Sequence, residues 1–155
     1  MKKIFLVAFL FFLTSAASAA NPELITTTLD GKKFDLAQQK GKIVIINFWA
    51  KWCPTCRNEM TILEELRKKY HSRGLEIIGV SIDRKKYREE VKKISAEFSY
   101  PNSLISDAEK ISFAEPDSIP LNYIIDKKGN IAAILGDDEE DIFNKDFEGI
   151  LQLLF

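Results

Sequence analysis

The run IVIINFW, Ile43 to Trp49, is almost entirely β-branched or aromatic, and it stops just before Cys53 and Cys56, the only two cysteines of the chain. An unbroken apolar run of this length predicts a strand covered on both faces. Beyond Cys53 the pattern changes period. Met60, Leu63, Leu66 and Tyr70 recur at helical spacing, with Glu64, Glu65, Lys68 and Lys69 on the opposite side, and Gly74 predicts the stop. Leu75 to Val80, LEIIGV, is a second buried strand. A strand, a helix and a strand in so short a span form a βαβ unit, which implies a parallel pair with a right-handed crossover.

The flanking segments fill out one α/β domain. Thr26 to Leu29 and Lys32 to Phe34 predict a hairpin about Asp30-Gly31. Tyr87, Val91, Ile94 and Phe98 mark the apolar face of a further helix. Arg84, Lys85, Lys86, Arg88, Lys92 and Lys93, interleaved with Glu89, Glu90 and Glu97, read as its solvated side. Asn122 to Asp126 and Asn130 to Leu135 flank Lys127, Lys128 and Gly129 as a second hairpin. Asp137 and Asp138 are expected to cap a last helix with Ile142, Phe143, Phe147, Ile150, Leu151 and Leu154 on its apolar side. No internal repeat or linker divides this stretch.

The first 20 residues have a different character. Lys2 and Lys3 precede an apolar run from Ile4 to Leu13 and the small-residue stretch TSAASAA, which together read as a secretory signal peptide. The run is short of the roughly 20 apolar residues that a membrane helix needs. Ala17-Ser18-Ala19 fits the cleavage pattern, so residues 21–155 are expected to form the mature domain, with an uncleaved anchor as the alternative. A periplasmic location follows, with no membrane insertion after cleavage. With 22 basic and 23 acidic residues and a net charge of −1, the composition points to no nucleic-acid partner and no strongly charged membrane surface.

An exported chain with so few cysteines uses them for chemistry rather than for stapling. Cys53 and Cys56 enclose only Pro54 and Thr55, and so small a loop removes little entropy from the unfolded chain. A zinc site needs four ligands, and beyond the pair the chain adds only His71 as a nitrogen ligand. His71, beside Gly74, reads as a surface residue. The pair is left as a dithiol that cycles with its disulfide.

These residues resemble a known family. A buried strand ending in NFWAKWC, a CPTC pair opening a helix, Ile119-Pro120 before a hairpin, and a C-terminal helix are similar to the thioredoxin fold. F-W-A-x-W-C-P-x-C-R-x-E followed by LEIIGVSID resembles its TlpA-like branch, which includes thiol-disulfide proteins of cytochrome c maturation. The resemblance covers residues 21–154. It implies a single thioredoxin-fold domain, a central mixed sheet flanked by helices, with an N-terminal β-hairpin extension, and it implies neither cofactor nor metal.

At the amino end of a helix, unpaired N–H groups and the helix dipole favour a thiolate at Cys53, which makes it the attacking sulfur. Cys56, one turn on, resolves the mixed disulfide. Pro54 suits the first helical position, and Thr55 brings no charge to the sulfur. The strand position where many thioredoxins carry a buried acid is Asn47, which cannot titrate. The TlpA-like pattern instead implies Glu59, expected to be partly buried beneath the disulfide, raised in pKa by desolvation, and acid and base for Cys56. The resemblance also implies a cis proline at Pro120, with Pro116 as a rival, and backbone contacts from Ile119 to a bound peptide. Leu121 and Asn122 stand where the family often has two threonines. Trp49 is expected in the core, and Trp52 on an apolar rim that a partner covers.

Two classes of function fit. One is a periplasmic thiol-disulfide oxidoreductase, in the reducing direction, acting on thiol- or disulfide-bearing clients such as apocytochrome c and recharged by a membrane thiol donor; a disulfide-forming oxidant of the same fold is its variant. The other is a module whose cysteines hold Cu(I).

Overall fold

The IVIINFW run becomes the central strand of the sheet and is buried at every position. The computed structural model describes residues 21–136 and 143–155. In chain order its elements are β1 (Leu24–Thr27), β2 (Lys33–Asp35), β3 (Ile43–Trp49), α1 (Pro54–Tyr70), β4 (Leu75–Ser81), α2 (Arg88–Ser95), β5 (Asn102–Leu104), β6 (Ala108–Ile111), β7 (Leu121–Ile125), β8 (Ile131–Leu135) and α3 (Phe143–Leu154). The expected signal peptide, and Asp137, Asp138 and Ile142 ahead of α3, lie outside the described residues.

Five strands form the main sheet in the order β5-β4-β3-β7-β8. β3 pairs parallel with β4, from Ile43 opposite Leu75 to Trp49 opposite Ser81, and antiparallel with β7, from Val44 opposite Ile125 to Phe48 opposite Leu121. The sheet is therefore mixed, and the βαβ unit expected around α1 is present. After Tyr70 a short 3-10 turn, His71–Arg73, ends at Gly74, whose φ of 97° only glycine adopts without strain.

Alternation along β3 separates two cores. Ile43, Ile45 and Trp49 face a layer containing Met60, Leu63 and Leu66 of α1, Val91 of α2, and Phe147 and Leu151 of α3. Val44, Ile46 and Phe48 face Leu24, Phe34, Leu36, Ile78, Val80, Phe113 and Ile125. Because successive strand residues point to opposite faces, Asn47 shares the α1 side with Ile45 and Trp49.

The second core is closed by a feature the sequence pattern did not reveal. The N-terminal hairpin is present, and β6 adds to it by pairing antiparallel with β1, making a three-stranded sheet in the order β2-β1-β6. β1 begins two residues earlier than expected and β2 one residue later, with Ile25 opposite Asp35 and Thr27 opposite Lys33. α2 ends at Ser95, so Phe98 packs on the core from beyond the helix. His71 is surface-exposed, its Nδ1 3.1 Å from the Leu75 carbonyl.

Candidate active site

The chain leaves β3 at Trp49 and turns through Ala50, Lys51 and Trp52 to reach Cys53, the N-cap of α1. Two interactions fix this turn. Cys53 N–H donates to the Ala50 carbonyl at 3.1 Å, and Lys51 N–H donates to Asp83 Oδ2 at 2.7 Å. Asp83 is buried and also accepts from the Ser81 hydroxyl at 2.9 Å, so the end of β4 braces the loop that carries the cysteine. Sequence reasoning missed Asp83. Its only signal was an acid following directly on a buried strand.

Cys53 and Cys56 are joined in a disulfide. Cys56 is fully buried and Cys53 is 4% exposed, so the first cysteine alone reaches the surface. Pro54 occupies the first turn of α1, and no acidic residue lies in that turn to oppose negative charge. The Cys56 N–H points at Cys53 Sγ from 3.1 Å. The Thr55 hydroxyl lies 3.4 Å from the same sulfur and, the sulfur being in a disulfide, is the donor. Thr55 therefore brings a dipole to the sulfur although it brings no charge.

Across from the pair, the Ile119–Pro120 peptide is cis, and the Ile119 carbonyl oxygen is 3.9 Å from Cys53 Sγ. Pro120 is buried and Ile119 half-buried. Pro116 is not in a cis bond. Trp49 is fully buried and its indole N–H donates to Asn102 Oδ1 at 3.0 Å, whereas Trp52 is 65% exposed beside Cys53.

Glu59 is more buried than expected, at 4% exposure, on the face of α1 that meets the sheet. Asn47 and Asn122 are direct cross-strand partners on that side of β3 and β7. Both donate to Glu59 Oε1 through Nδ2 at 2.8 Å, and Asn47 Nδ2 also reaches Asn122 Oδ1 at 2.9 Å. The position where other thioredoxins carry an acid thus holds an amide that binds one. In the sequence Asn122 is legible as the start of a strand and as a departure after Pro120, but not as a partner of Glu59. Its signal was a second lone amide in an otherwise apolar strand, and its pairing with Asn47 depends on a register that a single sequence does not display.

Among the described residues no group of three or more His, Cys, Asp or Glu is placed to hold a metal ion. What this arrangement can do is exchange disulfides: a sulfur at a helix amino end, a buried partner one turn on, a carboxyl group on the next turn, and the half-buried Ile119 with its carbonyl opposite.

Comparison with known proteins agrees with this chemistry. Residues 17–134 match the model of the AhpC/TSA family. The chain is 31% identical over 132 residues to the thiol-disulfide oxidoreductase ResA of Bacillus cereus, spanning 84% of this chain and 74% of the relative. It superposes on the crystal structure of a thioredoxin-family thiol:disulfide interchange protein of Chlorobium tepidum with a TM-score of 0.68 at 27% identity, covering 89% of this chain and 99% of that one. A secreted disulfide oxidoreductase of Mycobacterium tuberculosis, homologous to DsbE of E. coli, shares the fold with a TM-score of 0.65 at 20% identity over 84% of this chain and 95% of that one. The chain belongs to the AhpC/TSA family, with the thioredoxin-like fold that its motifs implied, and it is a thiol-disulfide oxidoreductase.

Proposed function

We infer that this oxidoreductase works in the reducing direction on exported client proteins, with apocytochrome c as the type of client that the resemblance to the TlpA-like branch suggests. The observation that carries the reading is the position of Cys53 Sγ, at the amino end of α1 and 3.9 Å from the Ile119 carbonyl that precedes cis-Pro120. A client strand paired to that backbone edge would present its disulfide to this sulfur.

The cycle begins from the dithiol. The Cys53 thiolate, favoured by the helix amino end and by the Thr55 hydroxyl, attacks one client sulfur. The client S–S bond breaks, a mixed disulfide forms, and one client thiolate leaves. Cys56 then gives its proton to Glu59 and attacks Cys53 Sγ, which releases the second client sulfur. The client has gained two electrons, and the Cys53–Cys56 disulfide has formed. A membrane thiol donor then returns two electrons and restores the dithiol. In this cycle Glu59 is the acid and base, Cys53 and Cys56 are the reacting sulfurs, Pro120 shapes the peptide-binding edge, and Trp52, Pro54, Thr55 and Ile119 line the contact with the client. Pro54, Thr55 and Trp52 are exposed, as such contacts require.

A periplasmic setting is supported by the secretory character of residues 1–20. No helix among the described residues is long and apolar enough to cross a membrane.

A redox titration against glutathione tests the direction. A potential towards the thioredoxin end, about −270 mV, supports a reductant, and one near about −120 mV would make the protein a disulfide-forming oxidant. Insulin reduction by the dithiol form, absent from a Cys53→Ser variant, is the accompanying activity.

A further inference from the structure

Two loops of opposite charge leave the sheet on either side of the disulfide. β4 ends beside the exit of β3, Ser81 opposite Trp49, and feeds the segment bearing Arg84, Lys85 and Lys86. β7 begins on the other flank, Leu121 opposite Phe48, and is fed by the segment bearing Glu115 and Asp117. Trp52, Arg84 and Tyr87 line one cleft on the basic side. On the acidic side, Cα atoms about 3.8 Å apart keep Asp117 within about 8 Å of Ile119, whose carbonyl is 3.9 Å from Cys53 Sγ.

All five charged side chains are exposed, and none forms an ion pair with another described residue. Their neighbours differ in this respect. Lys51 is neutralised by Glu90 at 2.8 Å, and Arg88 by Asp107. Glu89, on the first turn of α2, is exposed as well and leaves the basic loop with three cations against one anion. Lys86 lies over the Tyr87 ring at 4.9 Å, which leaves its charge unneutralised. Charges without an ion-pair partner, segregated by sign across an exposed indole and a reactive sulfur, form a field with a direction along the client-binding edge.

We propose that this face is a dipolar docking surface for a polypeptide client whose reacting cysteine has an acidic residue on one side and a basic residue on the other. Pairing with the Ile119 backbone beside Cys53 fixes the direction of the segment, and in that direction the acid meets Arg84, Lys85 and Lys86 and the base meets Glu115 and Asp117. A client of reversed charge order meets like charges at both ends and is rejected. The inference rests on the thiol-disulfide reading above and adds the partner class to it.

Two peptides of identical composition test it, each carrying one cysteine disulfide-linked to 2-mercaptoethanol, with Glu before and Lys after the cysteine in one and the reverse in the other. In each reaction the protein dithiol becomes the Cys53–Cys56 disulfide, and the peptide disulfide takes up two electrons and two protons. At low ionic strength one charge order is expected to react about tenfold faster than the other, and the gap closes near 1 M salt, where the Debye length is about 3 Å. The variant R84E/K85E/K86E/E115K/D117K is expected to prefer the opposite order while reducing hydroxyethyl disulfide at the wild-type rate. Equal rates for the two orders in the wild type, a gap that high salt leaves open, or a preference that the variant keeps would each overturn the proposal. Wild-type protein that fails to reduce even hydroxyethyl disulfide would overturn the thiol-disulfide reading itself, and the docking surface with it.

Discussion

Asn122 donates its side-chain amide to Glu59 at 2.8 Å, joining β7 to a residue of α1 that lies 63 positions earlier in the chain. Together with Asn47 it holds one carboxyl oxygen in place without adding charge. If that carboxyl group moves the Cys56 proton, Glu59→Gln keeps the packing and the size of the group but removes the proton acceptor. Reduction of a client disulfide at neutral pH is then expected to slow by about 10²-fold, with a stability cost of only about 1 kcal/mol. Stopped-flow single turnovers with alkylation of Cys56 measure this. Wild-type rates in the variant would remove Glu59 from the chemistry.

Trp52 separates docking from folding. At 65% exposure it contributes little to the core, so Trp52→Ala should change unfolding free energy by less than about 0.5 kcal/mol. Exposed indoles that a partner covers are common centres of binding energy. Insulin reduction is therefore expected to fall several-fold while reduction of hydroxyethyl disulfide stays unchanged. A matching loss with both substrates would place the residue in the chemistry instead.

Legibility followed the range of the interaction. β3 and the start of α1 were readable because burial on both faces and helical spacing are written in consecutive residues. β5 and β6 were not, since NSL and AEKI carry no apolar period and become strands only through pairing with β4 and β1. The site divides in the same way. The positions of Cys53, Cys56 and Pro54 follow from local motif, and Glu59 and Pro120 came from resemblance. The Asn47–Asn122 pair and the Asp83 brace needed a register that only the folded sheet supplies.

Gly79 is a second consequence of that register. A Cβ there would sit 1.9 Å from Asn102 Oδ1 and 3.0 Å from Trp49 Nε1. These two atoms are already bonded to each other at 3.0 Å, and Asn102 is tied by its Nδ2 to the Tyr100 carbonyl at 3.1 Å. The methyl group cannot be absorbed without breaking the Trp49–Asn102 contact. Gly79→Ala is expected to cost about 2 kcal/mol, lowering Tm by roughly 8 °C, with a shift in the fluorescence of buried Trp49. An unchanged Tm would show that β5 can move aside.

Tyr100 links the same region to alkaline stability. Its ring is 3% exposed, and its hydroxyl lies 3.5 Å from the Met60 carbonyl. Burial, aided by the charges of Glu64 and Glu59, pushes its ionisation well above the ordinary tyrosine value of 10.0. A group whose proton is held more tightly in the folded state lends stability that is complete below the unfolded pKa and is lost as pH rises beyond it. Above about pH 10 the unfolded chain releases this proton while the folded protein retains it, and stability falls by about 1.4 kcal/mol per pH unit for this one group. Lys32, Lys51, Lys68 and Lys69, each raised by a carboxylate partner, lose stability over the same range, so the informative quantity is the difference from Tyr100→Phe. That variant should be less stable by about 1 kcal/mol at pH 7 and should gain on the wild type steadily above pH 10 in urea unfolding. Parallel curves for the two proteins would mean that the hydroxyl titrates as freely in the folded state as in the unfolded chain.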